Sequence, residues 1–140
     1  MDDNKIYKFN PTCKIYLAIA EKGNPAKRGF AVILSDSSGR ASVKFTKFLG
    51  KCSREEAGLC GALLGLAQAQ RLKKEKIEVI IEDNRLKELI TDIHTGPEKK
   101  LKNITSGVKM KLREFPFSIV RVGAAEELKE VMERAATIFL

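Results

Sequence analysis

Three cysteines, Cys13, Cys52 and Cys60, and one histidine, His94, are the thiol and imidazole groups of this 140-residue chain. No two of the cysteines form a CxxC pair, and a single histidine does not complete the usual ligand set for zinc. The thiols read as small buried hydrophobes in a reducing compartment. A catalytic thiol–imidazole pair would require Cys60 and His94 to meet in the fold. Beside Thr95-Gly96-Pro97, His94 reads instead as a helix C-terminal residue favoured by the dipole. Hard divalent cations take carboxylate oxygens. Yet the stretch KIYLAIAEKGNPAKRGFAVIL, residues 14–34, ends its first apolar run on Leu17-Ala18-Ile19-Ala20, where no side chain can hold a metal or move a proton. Lys and Arg number 26 against 18 Asp and Glu, a net charge of +8. That balance suits phosphate-rich partners, since each neutralised phosphate releases counterions, although excess lysine also serves solubility alone.

The basic residues fall into three groups. Lys22, Lys27 and Arg28 flank the turn at Gly23-Asn24-Pro25, and Lys73, Lys74 and Lys76 crowd a loop before an apolar run. Lys99, Lys100, Lys102, Lys109, Lys111 and Arg113 run along an amphipathic segment. Each group taken alone is equally a solvated lysine-rich surface. With no Trp and 6% aromatic residues, specific base stacking is not expected. Backbone-directed, salt-sensitive binding of low sequence specificity is.

The elements that must carry these residues follow from periodicity. Strands are predicted at 14–20, 28–35 and 41–49, separated by the turn at 21–27 and the DSSGR hairpin at 36–40. In the third strand Val43, Phe45 and Lys47 share one face, with Lys44, Thr46 and Phe48 on the other. Ser53 followed by Glu55 and Glu56 marks a helix N-terminus, and that helix runs to Arg71. Its Gly58, Gly61 and Gly65 each cost about 1 kcal/mol relative to Ala, so close packing against a sheet is the natural compensation. A fourth strand at 76–82, helices at 84–93 and 98–113, a fifth strand at 116–122 and a helix at 125–138 complete the order βββαβααβα. At this length a single α/β domain with one core is expected. The charged start Met1–Lys5 leads into no signal-peptide core, and no 18-residue apolar run exists. An intracellular protein, nuclear or cytoplasmic, is expected, complete or cut from a longer chain.

This order and these turns resemble the ribonuclease H-like fold, and more narrowly its reverse-transcriptase-associated, plant-type branch. The likeness rests on Lys22-Gly23-Asn24-Pro25, Gly50-Lys51-Cys52-Ser53, Ala57-Gly58-Leu59, Gly65-Leu66 and Phe115-Pro116-Phe117, in order and at matching spacing. It implies a five-stranded mixed sheet, three antiparallel strands followed by parallel crossovers, flanked by helices. Residues 1–13 would be an N-terminal extension and 14–140 a single domain.

The resemblance also implies a chemistry in which acidic residues hold two Mg²⁺ ions about 4 Å apart. Carried over position by position, the first-strand aspartate falls on Ala18, the helix glutamate on Gly58, the fourth-strand aspartate on Glu82 and the last-helix aspartate near Val131. The family's mobile-loop histidine corresponds to Arg121 or Gly123. Of the four acidic positions, Glu82 alone keeps a carboxylate, and it reaches about one methylene further than Asp would. Glu21, Glu55, Glu56 and Asp83 lie nearby in sequence as substitutes, but Glu56 points about 200° away from Gly58 around the helix.

No catalytic residue, metal or cofactor is therefore expected, with Mg²⁺ entering only if nuclease activity survives. The leading expectation is a pseudonuclease that binds RNA or RNA–DNA hybrid through its basic surface. A protein-interaction module that keeps the fold, and a residual hybrid nuclease, are the alternatives. The apolar end Ile138-Phe139-Leu140 bears on the second, because it must fold back or meet a partner. The sequence carries no indication of oligomeric state.

Overall fold

The computed structural model describes residues 12–36, 41–91 and 99–140, with backbone alone at 41 and 42. Strands β1 (Cys13–Lys22), β2 (Lys27–Ser35) and β3 (Ala41–Lys51) form an antiparallel meander. Helix α1 (Arg54–Arg71) then crosses to β4 (Lys76–Ile81), which lies parallel to β1. Helix α2 (Asn84–Thr91) comes next, and a 3-10 turn at Lys99–Leu101 leads into α3 (Lys102–Arg113). Strand β5 (Phe117–Val122) runs parallel to β4, and α4 (Ala125–Ala136) ends in a 3-10 turn at Thr137–Phe139. The sheet order is β3-β2-β1-β4-β5.

The alternation of β1 assigns its two faces. Cys13, Ile15 and Leu17 enter the larger core beneath α1, with Phe30, Val32 and Leu34 of β2 and Val79 of β4. Ala18 and Ala20 point the other way, into a smaller core closed by Leu128, Val131 and Ala135 of α4. The α1 glycines do what their spacing implied. A methyl at Gly61 would collide with Leu17, and one at Gly65 would lie 2.8 Å from Ile15. The helix therefore sits on β1 at a distance that only glycine permits.

The order of elements is as expected, while several ends move. Strand β1 takes in Cys13, which is buried core rather than part of an extension. Strand β3 continues to Lys51. Of the helix expected at 98–113, the described part from Lys99 is not one helix: Leu101 offers no side-chain acceptor to the first amides of α3, and a 3-10 turn leads in instead. The last helix stops at Ala136, where the Thr137 hydroxyl donates to the Arg134 carbonyl at 2.6 Å and the turn tightens. The tail then folds back, placing Ile138 near Gly29 and Phe139 against Phe48. Ser53 caps α1 as predicted, its hydroxyl accepting from the Glu56 amide at 3.1 Å. His94 with Thr95-Gly96-Pro97, and hairpin positions 37–40, lie outside the described residues.

Register decides which basic groups are neighbours. Cys13 pairs with Ile77, so Lys73, Lys74 and Lys76 lie near the start of β1, whereas Lys22 pairs with Lys27 at its far end. The ten residues of β1 hold these two groups roughly 30 Å apart.

Candidate functional site

The ends of β1 and β4 form a corner with the N-terminus of α1; of the four acidic positions of the resembled family, Gly58 and Glu82 lie at it, while Ala18 and Val131 face the smaller core under α4 on the other side of the sheet. Ala18 and Val131 are each 1% exposed and belong to the same apolar cluster with Ile33, Ile80 and Leu128. Gly58 is also buried, and a methyl there would stand 2.7 Å from Leu86 Cδ2 and 3.3 Å from Ile19 Cδ1. Leu86 of α2 thus fills the space a longer side chain would need.

Glu82 is fully engaged. Its Oε1 accepts the Ile19 amide proton at 2.6 Å, and its Oε2 lies 3.4 Å from Arg54 Nη2. Arg54, the first residue of α1, is the hub of the corner: its Nε is 3.2 Å from Asp83 Oδ2 and its Nη1 is 3.6 Å from Glu21 Oε1. Asp83 also accepts the Leu86 amide at 2.8 Å, which starts α2. Arg28 braces Glu21 at 3.0 Å and donates to the Cys52 carbonyl. Three carboxylates from two elements' ends therefore surround a guanidinium fixed by a third.

This donor set does not fit two divalent cations. It offers a methyl at Ala18, bare backbone at Gly58, an isopropyl at Val131 and one carboxylate already held by an amide and an arginine. Among the described residues, no group of three His, Cys, Asp or Glu side chains is placed to hold a metal ion. A cleft of about 280 Å³ remains beside Glu82, and Met132, Ala136 and Phe139 supply its other wall.

Arg121 sits on β5 and clasps Glu78 of β4 and Glu127 of α4. These bonds hold the Glu127 carboxyl below the usual carboxylate range and raise the Arg121 guanidinium further still. The side chain is committed to tying the last helix to the sheet. Gly123 bonds back to the Ile81 carbonyl through its amide, 2.9 Å away.

On the other side of the first turn lies a hollow of about 640 Å³. Its walls are Lys22, Lys27, Lys51, Phe48, Phe139 and the Gly23-Asn24-Pro25 turn. Lys27 pairs with Lys22 across one ladder and with Lys51 across the other, so the register sets three ammonium groups side by side. The turn is shaped by Gly23 at φ 93°, a conformation open to glycine, and by a cis Asn24–Pro25 bond. Phe48 is 54% exposed, and Phe139 meets it edge-to-face with centroids 6.0 Å apart. Among the described residues, none of the three lysines has an ion-pair partner.

The other sequence-predicted cations are scattered. Arg28 is occupied by Glu21 and Cys52. Lys76 lies over the Phe117 ring, 5.6 Å from its centroid, and Lys73 ends the α1 turn with φ 57° beside Lys74. On α3, Lys111 donates to Gln70 at 2.8 Å, Lys109 is half-buried, and Lys102 and Arg113 are exposed, as are Lys99 and Lys100 before the helix. Glu55 and Glu56 stay at the start of α1, Glu55 facing a small hollow with Arg85. Sequence reasoning missed Arg54, Lys51 and Phe48. Arg54 was detectable as the residue one helical turn before Gly58, on the same face. The thiols of Cys13, Cys52 and Cys60 are free, and burial pushes all three up.

Three antiparallel strands, two parallel additions, and α1 and α4 on opposite faces define an RNase H-like domain. A family model described as reverse transcriptase-like matches residues 19–123, and the chain belongs to that family. Among solved structures, it is similar to RNase H1 of the halophilic archaeon Halobacterium salinarum, at 14% identity and TM-score 0.78, over 89% of this chain and 93% of that one. The N-terminal RNase H domain of Rv2228c from Mycobacterium tuberculosis matches at 14% identity and TM-score 0.79, over 89% and 95%. LC11-RNase H1, from a compost metagenome and solved with an RNA/DNA hybrid, matches at 16% identity and TM-score 0.76, over 91% and 99%. A search of curated proteins finds no match.

Proposed function

We propose that this domain binds nucleic acid through basic surface at the β1–β2 turn, without metal and without cutting it. The observation that carries the reading is the contrast at one end of the sheet. The corner's carboxylates are paired with Arg54 and Arg28, while Lys22, Lys27 and Lys51 face a hollow in which no counter-charge is found among the described residues. Clustered, unneutralised ammonium groups repel one another, and a polyanion relieves that repulsion while releasing its own counterions. The similar LC11-RNase H1 holds an RNA/DNA hybrid, which supports nucleic acid as the class of partner.

Fluorescence anisotropy and cleavage assays on single-stranded RNA, duplexes and RNA–DNA hybrid, with Mg²⁺ or with EDTA, test the reading. Binding that survives EDTA, weakens with salt and leaves the strands intact is expected. Metal-dependent cleavage of hybrid would overturn it. Absence of binding at low salt would favour the second reading, a protein-interaction module. That reading has one observation of its own: edge strand β5 leaves Ile119 62% exposed beside an exposed Phe117.

A further inference from the structure

Resting on the nucleic-acid-binding reading, we propose that the hollow takes one unpaired nucleotide of a single strand, its base against Phe48 and its flanking phosphates among Lys22, Lys27 and Lys51. Low aromatic content argued against stacking in general, but position outweighs number. Phe48 is a large ring left more than half exposed inside a concavity, with charge of one sign around it. Phe139 meets it edge-to-face, so the ring is braced and stacking costs little ordering. At about 640 Å³, the hollow is within the size range of sites for small organic ligands, about 300–1,000 Å³.

The combination selects among nucleic acids. A base inside a duplex has both faces covered by its neighbours, so a ring within a hollow is reached only by a base swung out of the stack or by a single strand. Lysines also bind acidic peptides, but those bring no flat π-face to the ring. The occupant favoured by the whole lining is an unpaired nucleotide.

The test compares Phe48→Ala, Phe48→Trp and Lys51→Ala with the parent domain, using a 2-aminopurine-labelled single strand, the matching duplex and a poly-glutamate peptide. For Phe48→Ala, about tenfold weaker single-strand binding is expected, as is typical for removing one stacked base. Duplex binding should stay unchanged, and 2-aminopurine quenching should vanish. Phe48→Trp should keep both affinity and quenching, and Lys51→Ala should weaken both nucleic acids. Phe48 is exposed, so its variants should melt with the parent. Unchanged single-strand binding by Phe48→Ala, alongside weakening by Lys51→Ala, would overturn the stacking inference and leave the nucleic-acid reading standing. Failure of the parent to bind either nucleic acid, or its preference for poly-glutamate, would overturn both.

Discussion

The corner around Arg54 and the hollow around Phe48 lie on either side of one four-residue turn, and they treat charge in opposite ways. In the corner, every carboxylate has found an internal cation or amide: Glu82 holds the Ile19 amide and Arg54, Asp83 starts α2, and Glu21 sits between two arginines. The hollow gathers three cations and neutralises none among the described residues. Charge that the fold has satisfied holds elements together. Charge that it has left unsatisfied is available to a partner, which is why the proposed reading puts binding at the hollow and not at the corner.

The comparison breaks first if a carboxylate can be restored at one of the family's acidic positions. Ala18→Asp would place a carboxylate against Ile33, Ile80 and Leu128 with no cation beside it. An uncompensated buried charge costs about 3–5 kcal/mol, and a drop of that size in chemical denaturation is expected, with no gain in hybrid cleavage. A stable, Mg²⁺-responsive variant would mean that the fold can still accept a cation at these positions. Next in size is the hollow. Reversing Lys22, Lys27 and Lys51 together to Glu should weaken nucleic-acid binding about 100-fold and lower the salt dependence by about two ions released. Stability should be unaffected, because these ammonium groups have no ion-pair partner among the described residues.

A smaller effect distinguishes a brace from a site. Arg54→Met removes the shared cation and leaves Glu21, Glu82 and Asp83 facing one another. Arg54 is 34% exposed, so solvent screens much of the loss, and about 1 kcal/mol is expected. Nucleic-acid affinity should hold, since the hollow does not depend on Arg54. Equal loss of affinity and stability would merge the two regions into one.

What was legible beforehand follows the same division. The fold was written in local signals: turn residues, alternation and the glycine spacing of α1 each act within a few positions. That Ala18, Gly58 and Val131 offer no carboxylate could be read residue by residue. Arg54 could not be, since its meaning depends on side chains converging from β1 and from the end of β4. Lys51 was hidden for a related reason. It meets Lys27 through the β2–β3 register, which slips by one residue between Arg28 and Gly29. The lysines of α3 and of the 73–76 loop illustrate the converse: similar in sequence to Lys22 and Lys27, they lie elsewhere or serve other contacts. The apolar tail posed a choice between folding back and meeting a partner, and Phe139 became a wall of the hollow.

A further step down in size concerns the Arg121 clasp, a second satisfied cation. The bonds to Arg121 lower the Glu127 carboxyl, so their contribution is complete above the ordinary carboxylate value of 4.5. It is lost as pH falls through the lowered folded-state value, because only there does Glu127 take up a proton. Melting curves should therefore be insensitive to this pair near neutrality and steepen their decline in acid. Arg121→Met should be destabilised at neutral pH and lose that part of the acid dependence. A variant whose profile kept the parent's acid slope would show that other carboxylates govern it.

The smallest expected effect is also the sharpest test of the corner. A ligand that binds only the folded state raises its stability by about 2.7 kcal/mol at a hundredfold excess over Kd. If the domain kept a cation centre with a Kd in the tens of micromolar, millimolar Mg²⁺ would thus raise the melting temperature by several degrees. With methyl, backbone and isopropyl groups at three of the four positions, and Arg54 already beside the fourth, the expected shift between Mg²⁺ and EDTA is zero. Mn²⁺ should behave alike, because it draws on the same oxygen donors. A saturable shift with either ion, abolished by Glu82→Gln, would restore a cation to the corner and end the contrast with the hollow. The same shift surviving Glu82→Gln would place the ion away from the corner and leave the contrast intact.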